Sequence, residues 1–430
     1  MSPLPSPPWG RGWTATDVFI SRGGTGEGVA IWLLGSALIY GRAIRFNPLT
    51  PRLAVPPLPQ GGEGNGTVPL AGIPNEIVTS RISPDFDATV ILPVASEPAV
   101  FRFSLSAAEK AVLSTLPVDF SSPPGFPPIP WPEDNPYSPA RAELGEVLFF
   151  DGRLSANDKV SCAFCHEPAH AFSASTPLSR GVDGKLGVRH AQTLINRAWG
   201  KSQFWDGRAP TLEAQIFFPI TNPDEMGMTT DRVVQKIRGV KGYAPLFAAA
   251  FGDNAITYDR ITKAIATFER TIVSANSPYD RYLAGDKMAL TKQQKDGLDF
   301  FNKKGECAEC HKGLNFSDEK FANLGVGMDR AKPDPGREDV TEKRGDFGKF
   351  KVPTLRDLAR RAPYMHDGSV KTLSEVLDIY AKGGLPNPHL DTRLAPFYLD
   401  EETKRDLLAF LDALNGEGWQ NLQAPAVFPQ

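Results

Sequence analysis

The sequence predicts a mainly α-helical protein in which a proline-rich N-terminal segment precedes two similar domains. Of the 39 prolines, 23 fall within the first 139 residues. Proline lacks a backbone N–H and fixes φ, so this part cannot be mostly helical. The motif C-x-x-C-H then occurs twice, at residues 162–166 and 307–311. Each copy follows a segment that carries helix signals and ends in the pair Phe-Phe.

Residues 1–65 are typical of an export signal followed by a disordered stretch. Their apolar run over 28–43, GVAIWLLGSALIYGRA, is shorter than the ~20 residues that a spanning helix needs, and it resembles the apolar core of a signal peptide. An apolar stretch in a disordered tail and a membrane anchor are the alternatives. In the accessory proline-rich segment 66–137, alternating residues in TVILPVA and AVFRFSL predict a few strands.

Helix start signals precede both copies of the motif. Ser138 can cap a helix that has Pro139 at its first position, and apolar residues then recur at helical spacing. Before the second copy, Thr291 and Gln294 form the pattern of a capping box. Helix, Phe-Phe, polar loop and C-x-x-C-H therefore occur twice, which indicates two related, mostly helical domains.

The doubled motif predicts covalently bound haem rather than zinc. The 141 residues between the two cysteine pairs far exceed the ~15 to 20 typical of a zinc ribbon. In C-x-x-C-H the thiols are spaced to join two vinyl groups of one haem, and the histidine becomes the proximal iron ligand. The predicted attachment sites are Cys162, Cys165 and His166 for one haem c, and Cys307, Cys310 and His311 for the other.

Two cytochrome c-like haem domains are thus expected, over residues 138–278 and 279–416, with a tail over 417–430. The net charge of −3 and well-mixed charges argue against a nucleic-acid partner. Haem c is attached on the exported side of a bacterial membrane, so we expect a periplasmic protein, either free or anchored through residues 28–43.

A di-haem protein is either an electron carrier or an enzyme. In a carrier both irons are closed, which means that strong sixth ligands occupy them, whereas an enzyme leaves one iron open to its substrate.

Four stretches resemble the bacterial di-haem cytochrome c peroxidases and the MauG-type enzymes: ELGEVLFFDGRLSANDKVSCAFCH, QFWDGRAPTLEAQ, NPDEMG and VPTLRDLARRAPYMHDGSVKTL. The resemblance covers roughly residues 105–415. It implies that the first haem is the peroxidatic one, that Trp205 lies between the haems, and that Gln215, Pro219 and Glu225 line the peroxide pocket.

The same resemblance implies the partners. Hydrogen peroxide is the expected oxidant. A small cytochrome c or a copper protein is the expected electron donor, whereas a MauG-like enzyme would instead oxidise a side chain of a protein substrate. The sequence is also compatible with a homodimer.

Two positions depart from the pattern of the best-known peroxidases. An ungapped comparison places Val182 where a histidine closes the resting peroxidatic haem, and valine cannot bind iron, so we expect that haem to be five-coordinate or water-bound. A calcium ion between the domains is a further candidate cofactor. The resemblance implies that His190 stands at a ligand asparagine and that Arg361 and Pro363 stand at ligand main-chain carbonyls. An imidazole weakens a site for an ion that prefers oxygen ligands, whereas backbone oxygens and water can still bind it.

Tyr380 is the predicted sixth ligand of the second haem. It lies 14 residues after the histidine of YMHDG, at the place of the family's methionine or tyrosine ligand. Its helix begins with a capping box, T-x-x-E, has one apolar face, and ends before a glycine. The alternatives are a buried core tyrosine with Met328 or Met365 as the ligand.

Overall fold

Helices dominate the part of the chain that the structure describes. This computed structural model describes four strands between residues 18 and 104, then Phe120 and Ser122–Gln430. It confirms the mainly helical class. The α-helices of the described residues are α1 Pro139–Phe150, α2 Cys162–Cys165, α3 Leu212–Thr221, α4 Thr230–Gly239, α5 Tyr243–Phe251, α6 Tyr258–Thr271, α7 Pro278–Leu283, α8 Lys292–Asn302, α9 Glu338–Thr341, α10 Leu373–Ala381 and α11 Glu401–Asp412.

Six strands form three antiparallel pairs in the described residues. The strands are β1 Val18–Arg22 with β2 Val29–Leu33, β3 Asp87–Val94 with β4 Glu97–Ser104, and β5 Phe321–Ala322 with β6 Phe350–Lys351. The pair β3–β4 falls on the two alternating stretches, as predicted. The remainder of the N-terminal segment, with most of the signal-like run, lies outside the described residues. Among the helices that are described, none has the length and apolar character needed to cross a bilayer.

The helices that precede the two motifs begin as predicted. The Ser138 hydroxyl accepts a hydrogen bond from the main-chain N–H of Arg141 at 3.1 Å, and Pro139 occupies the first position of α1. Thr291 and Gln294 cap α8 reciprocally. These caps satisfy N–H groups that have no partner inside the helix. Each cap therefore fixes where the helix that leads to a cysteine pair begins.

A glycine in each of these helices allows a later helix to approach closely. A Cβ atom at Gly145 of α1 would overlap the carbonyl oxygen of Ala264 in α6, and one at Gly297 of α8 would overlap that of Asp406 in α11. No other residue type leaves this space, because only glycine lacks Cβ. The pairs α1–α6 and α8–α11 thus pack in the same way, each through a glycine that lets the two helices approach closely.

Two separate apolar cores result. The first core contains Leu144, Leu148, Phe149, Ile265 and Phe268, and the second contains Phe301, Phe316, Leu407, Phe410 and Leu414. The C-terminal residues, expected to be a tail, return to the first core: the Trp419 ring is 4% exposed and lies 6.3 Å from that of Phe172. The predicted domain boundaries themselves stay a prediction.

The end of the proline-rich segment is also held against the helices. Asn135 is fully buried. Its side-chain amide donates to the Glu213 carboxylate at 2.8 Å and to the Lys263 carbonyl oxygen at 3.0 Å. A buried amide stabilises a fold only when it is hydrogen-bonded. These bonds tie the stretch before α1 to α3 and α6.

Candidate functional site

Short helical turns bring the two cysteines of each motif together. Cys162–Cys165 forms α2 and Cys307–Glu309 forms a single 3-10 turn. All four thiols are free. Burial raises the pKa of Cys165 to about 11 and that of Cys307 to about 11, so these thiols are neutral. Two thiols on one short turn suit attachment to the two vinyl groups of a single haem.

The motif histidines are oriented as iron ligands. His166 Nδ1 lies 2.8 Å from the carbonyl oxygen of Gln192, and His311 Nδ1 lies 2.8 Å from that of Phe316. A carbonyl oxygen can only accept, so Nδ1 carries the proton and Nε2 is left as the free donor atom. Burial lowers the pKa of both imidazoles, which keeps them neutral and able to bind a metal. The residues at both motifs fit a c-type haem.

A cavity of about 390 Å³ lies over the second motif. Cys307, Cys310 and His311 line it, together with the apolar face of α10: Leu373, Val376, Leu377 and Tyr380. Thr372 and Glu375 form the capping box that starts this helix. Met365 lines the same cavity. Met328 is not among the lining residues; its sulfur faces Gly348, where an added Cβ would meet it. Tyr380 and Met365 thus remain as candidate ligands.

Trp205 lies between the second cavity and the helix α3. It lines the cavity over the second motif, and its Nε1–H donates to the carbonyl oxygen of His190 at 2.8 Å. The ring of the preceding residue, Phe204, packs 5.4 Å from that of Phe218 in α3. Gln192, whose carbonyl holds His166, lines the cavity as well. The two sites therefore share a wall.

Glu225 lies in the turn after α3, close to the first motif. Its Oε1 accepts a hydrogen bond from the Asn222 amide at 2.8 Å, and its carbonyl oxygen accepts one from the N–H of Val182 at 2.8 Å. Burial raises the pKa of the Glu225 carboxyl, while Asn222 and Arg208 oppose the shift. The Glu225 charge in turn contributes to the raised pKa of Cys165. The Glu225 carboxyl, Val182 and the first C-x-x-C-H motif are therefore neighbours.

Gln215 and Pro219 lie one turn apart on α3, so both side chains project from the same face. Proline within a helix removes one N–H from the ladder. The carbonyl of Pro219 accepts a hydrogen bond from the Met226 N–H at 3.1 Å, which holds the turn containing Glu225 against α3. The structure thus brings the three predicted pocket residues into one region.

Two residues near Glu225 were not predicted. Asn222 orients the carboxylate, and the Arg208 guanidinium lies 3.5 Å from the centre of the Phe204 ring while it pairs with Asp206 at 2.7 Å. The NPDE turn contains a signal for Asn222, because asparagine before proline often starts a turn. The sequence contains no comparable signal for Arg208, whose position depends on how α3 packs.

His190, Arg361 and Pro363, the residues at the calcium positions, line one cavity. The ring of His190 is engaged, however: Nδ1 lies 3.1 Å from the Thr176 carbonyl oxygen and Nε2 lies 3.3 Å from the Ser173 hydroxyl. Arg361 places a buried guanidinium beside the same cavity. Calcium prefers oxygen ligands, and the imidazole of His190 supplies none, so this side chain does not fit calcium. Arg361 and Pro363 would contribute main-chain carbonyl oxygens, and that contribution stays a prediction.

A mostly helical fold with two C-x-x-C-H turns, each with a neutral, partly buried histidine, defines the class of di-haem c-type proteins. The comparisons with known proteins specify the family. The sequence model described as di-haem cytochrome c peroxidase matches residues 139–288. Methylamine utilization protein MauG of Methylorubrum extorquens is 43% identical over 292 residues, which are 67% of this chain and 82% of that protein. The chain belongs to the di-haem cytochrome c peroxidase and MauG family.

Other relatives agree with this assignment. Cytochrome c551 peroxidase of Pseudomonas aeruginosa is 35% identical over 292 residues, covering 66% of this chain and 80% of the relative. A crystal structure of a MauG-like protein associated with microbial copper homeostasis has a TM-score of 0.65 and 35% identity, and the match covers 70% of this chain and 96% of the other. The protein is therefore an oxidoreductase of the cytochrome c peroxidase type, and its family carries two c-type haems.

Proposed function

We propose that the protein reduces hydrogen peroxide to water at a haem held by Cys162, Cys165 and His166. Electrons reach it through the haem at His311 from a small cytochrome c or copper protein. When bound, each haem supplies an iron that changes oxidation state. The observation that carries the proposal is the Glu225 carboxyl, which lies beside the first motif and is oriented by Asn222 at 2.8 Å.

Glu225 performs the proton transfers in this scheme. The carboxylate accepts the proton from one peroxide oxygen and delivers it to the other, so that the O–O bond breaks with water as the leaving group. Overall, hydrogen peroxide, two protons and two electrons give two water molecules. A positioned acid–base group contributes roughly 10²- to 10⁴-fold in rate. Gln215 and Pro219, on the neighbouring face of α3, would form the pocket wall.

Trp205 is the proposed electron relay. Its ring lines the second cavity, while Phe204 beside it packs on α3. The hydrogen bond from Nε1 to the His190 carbonyl, at 2.8 Å, fixes the plane of the ring. Because a carbonyl oxygen is a very weak base, it would not take the indole proton when the ring loses an electron.

A MauG-like function is the second candidate, and Tyr380 favours it. A phenolate ligand stabilises oxidised iron, whereas a thioether raises the potential of a haem. Tyrosine at the second haem would make it a poor acceptor from a high-potential cytochrome and a better store of an oxidising equivalent. The electrons would then come from a side chain of a protein substrate. For either function we propose a periplasmic location, since haem c is attached after export.

Steady-state kinetics of the purified di-haem protein separate these functions. A peroxidase consumes peroxide while it oxidises reduced cytochrome c, with two cytochromes per peroxide. A MauG-like enzyme reacts rapidly with peroxide but turns over slowly with cytochrome c. An electron carrier, with both irons closed, neither binds cyanide tightly nor reacts rapidly with peroxide, and that result would reject both enzymatic functions.

A further inference from the structure

Lys351 is a buried lysine on the wall of the second cavity. It ends β6, is 2% exposed, and lines the cavity that contains His311. Lysine is almost never fully buried unless it is paired. Its main-chain N–H donates to the carbonyl oxygen of Trp205 at 2.7 Å, so it adjoins the proposed relay. Neither the peroxide chemistry nor the attachment motif accounts for an ammonium group at this place.

The charge of Lys351 is incompletely balanced by the protein. Its Nζ donates to the carbonyl oxygen of Ser202 at 2.6 Å. The partner carboxylate, Glu319, is 3.9 Å away, which is too far for a hydrogen bond. Glu319 already pairs with Arg197 through bonds of 2.7 and 3.2 Å. Within ion-pair distance, the two buried cations therefore share one carboxylate.

An ammonium group has three N–H donors, and Ser202 accepts only one of them. Burial lowers the pKa of Lys351 well below its usual value and Arg197 adds to the shift, while the charges of Glu319 and Asp206 oppose it. A buried cation is stable when an anion accompanies it. Arg361, a third buried cation that lines the cavity, has Asp357 beside it. The unmatched charge is therefore specific to the wall formed by Arg197 and Lys351.

The residues that line the cavity indicate the chemical class of the anion that would accompany Lys351. A haem joined through its vinyl groups to Cys307 and Cys310 has its two carboxylates at the opposite edge of the porphyrin. Cationic or hydrogen-bonding groups on the wall outside the motif would hold these carboxylates when the haem is bound. Lys351, with the Ser202–Trp205 segment bound to its main chain and its Nζ, is such a group.

We propose that Lys351 binds a propionate carboxylate of the second haem and so links that haem to the main chain of Trp205. The inference rests on the proposed attachment of haem at the second motif. Lys351 is a positioning residue: it sets where the carboxylate edge lies relative to the relay, and its charge favours the reduced iron.

The test is a redox titration of the two haems in the holoprotein. Lys351→Met should lower the reduction potential of the second haem, because a nearby positive charge is lost, and should leave the first haem unchanged. Lys351→Arg should keep the potential close to wild type. The matched control is Lys349→Met, since Lys349 is partly exposed and pairs with Asp346 at 3.1 Å. An unchanged potential in Lys351→Met would overturn the inference.

A second measurement does not depend on the variant. In a crystal structure of the wild-type holoprotein, Nζ of Lys351 should lie within hydrogen-bond distance of a propionate oxygen, and a separation beyond 4 Å would reject the proposal. Absence of haem from Cys307 and Cys310 would instead reject the proposed function. The two failures are therefore distinguishable.

Discussion

Val182 donates its main-chain N–H to the carbonyl oxygen of Glu225 at 2.8 Å. The residue that we predict at the position of an iron-binding histidine is thus hydrogen-bonded to the main chain of the proposed acid–base residue. Gly181 permits this contact, because a Cβ there would overlap the carbonyl oxygen of Asp224. The loop after the first motif therefore places Val182 next to Glu225, with the apolar side chain of Val182 buried in the first core.

Glu225→Gln should leave both haems attached and slow peroxide cleavage at least roughly tenfold, because an amide cannot shuttle a proton. Since burial raises the pKa of Glu225, the wild-type rate should fall as the pH drops through that raised pKa, and the variant should lose this inflection. The control is Asp224→Asn, whose carboxylate is 57% exposed and pairs with Lys185. Stopped-flow absorbance measures the rate. An unchanged rate in Glu225→Gln would remove the residue from the mechanism.

Val182→His should convert the first haem to a low-spin state that needs prior reduction before it reacts. In the wild type, fully ferric protein should react with peroxide without priming, because valine leaves the iron open. Electron paramagnetic resonance of the ferric proteins reports both coordination states. A wild-type protein that reacts only after one-electron reduction would contradict the assignment of Val182.

Trp205→Phe should spare the first reaction with peroxide and slow electron exchange between the haems, because phenylalanine is harder to oxidise and lacks the bond to His190. Trp199→Phe serves as the control: Trp199 lies six residues away, and its indole donates to the Pro127 carbonyl oxygen at 3.3 Å. Rapid-scan spectra follow both haems. Joint oxidation of the haems at the wild-type rate in Trp205→Phe would exclude the relay role.

Tyr380→Met should raise the reduction potential of the second haem, because a thioether replaces a phenolate. Met365→Leu should leave that potential unchanged if Met365 only lines the cavity. Ferric absorption spectra and redox titrations test both. A thioether-to-iron band in the wild type that disappears in Met365→Leu would assign the ligand to Met365 instead.

Treatment with a calcium chelator should change neither the haem spectra nor the melting temperature of the wild-type protein. The reason is that the His190 ring is hydrogen-bonded to protein groups and offers no oxygen to calcium. His190→Asn should introduce sensitivity to the chelator. Elemental analysis after desalting provides the independent measurement. One tightly held calcium per wild-type chain, whose removal alters the spectra, would refute this expectation.

Local patterns in the sequence were sufficient to predict the features that depend on residue spacing within one turn or one helix. The C-x-x-C-H copies, the cap at Ser138, the capping boxes at Thr291 and Thr372, and the apolar face that contains Tyr380 all involve residues a few positions apart. Hydrogen-bond geometry and helical periodicity relate such residues without reference to the rest of the chain.

Only the tertiary structure decided which distant groups meet. Val182 and Glu225, Lys351 and Trp205, and the C-terminal Trp419 with Phe172 are brought together by packing, and no local rule couples residues that far apart. Lys351 is the clearest example: a lysine usually indicates a solvated charge, whereas packing against two other segments buries this one. Sequence thus determined the cofactor motifs and helix starts, whereas long-range packing determined the environment in which their chemistry takes place.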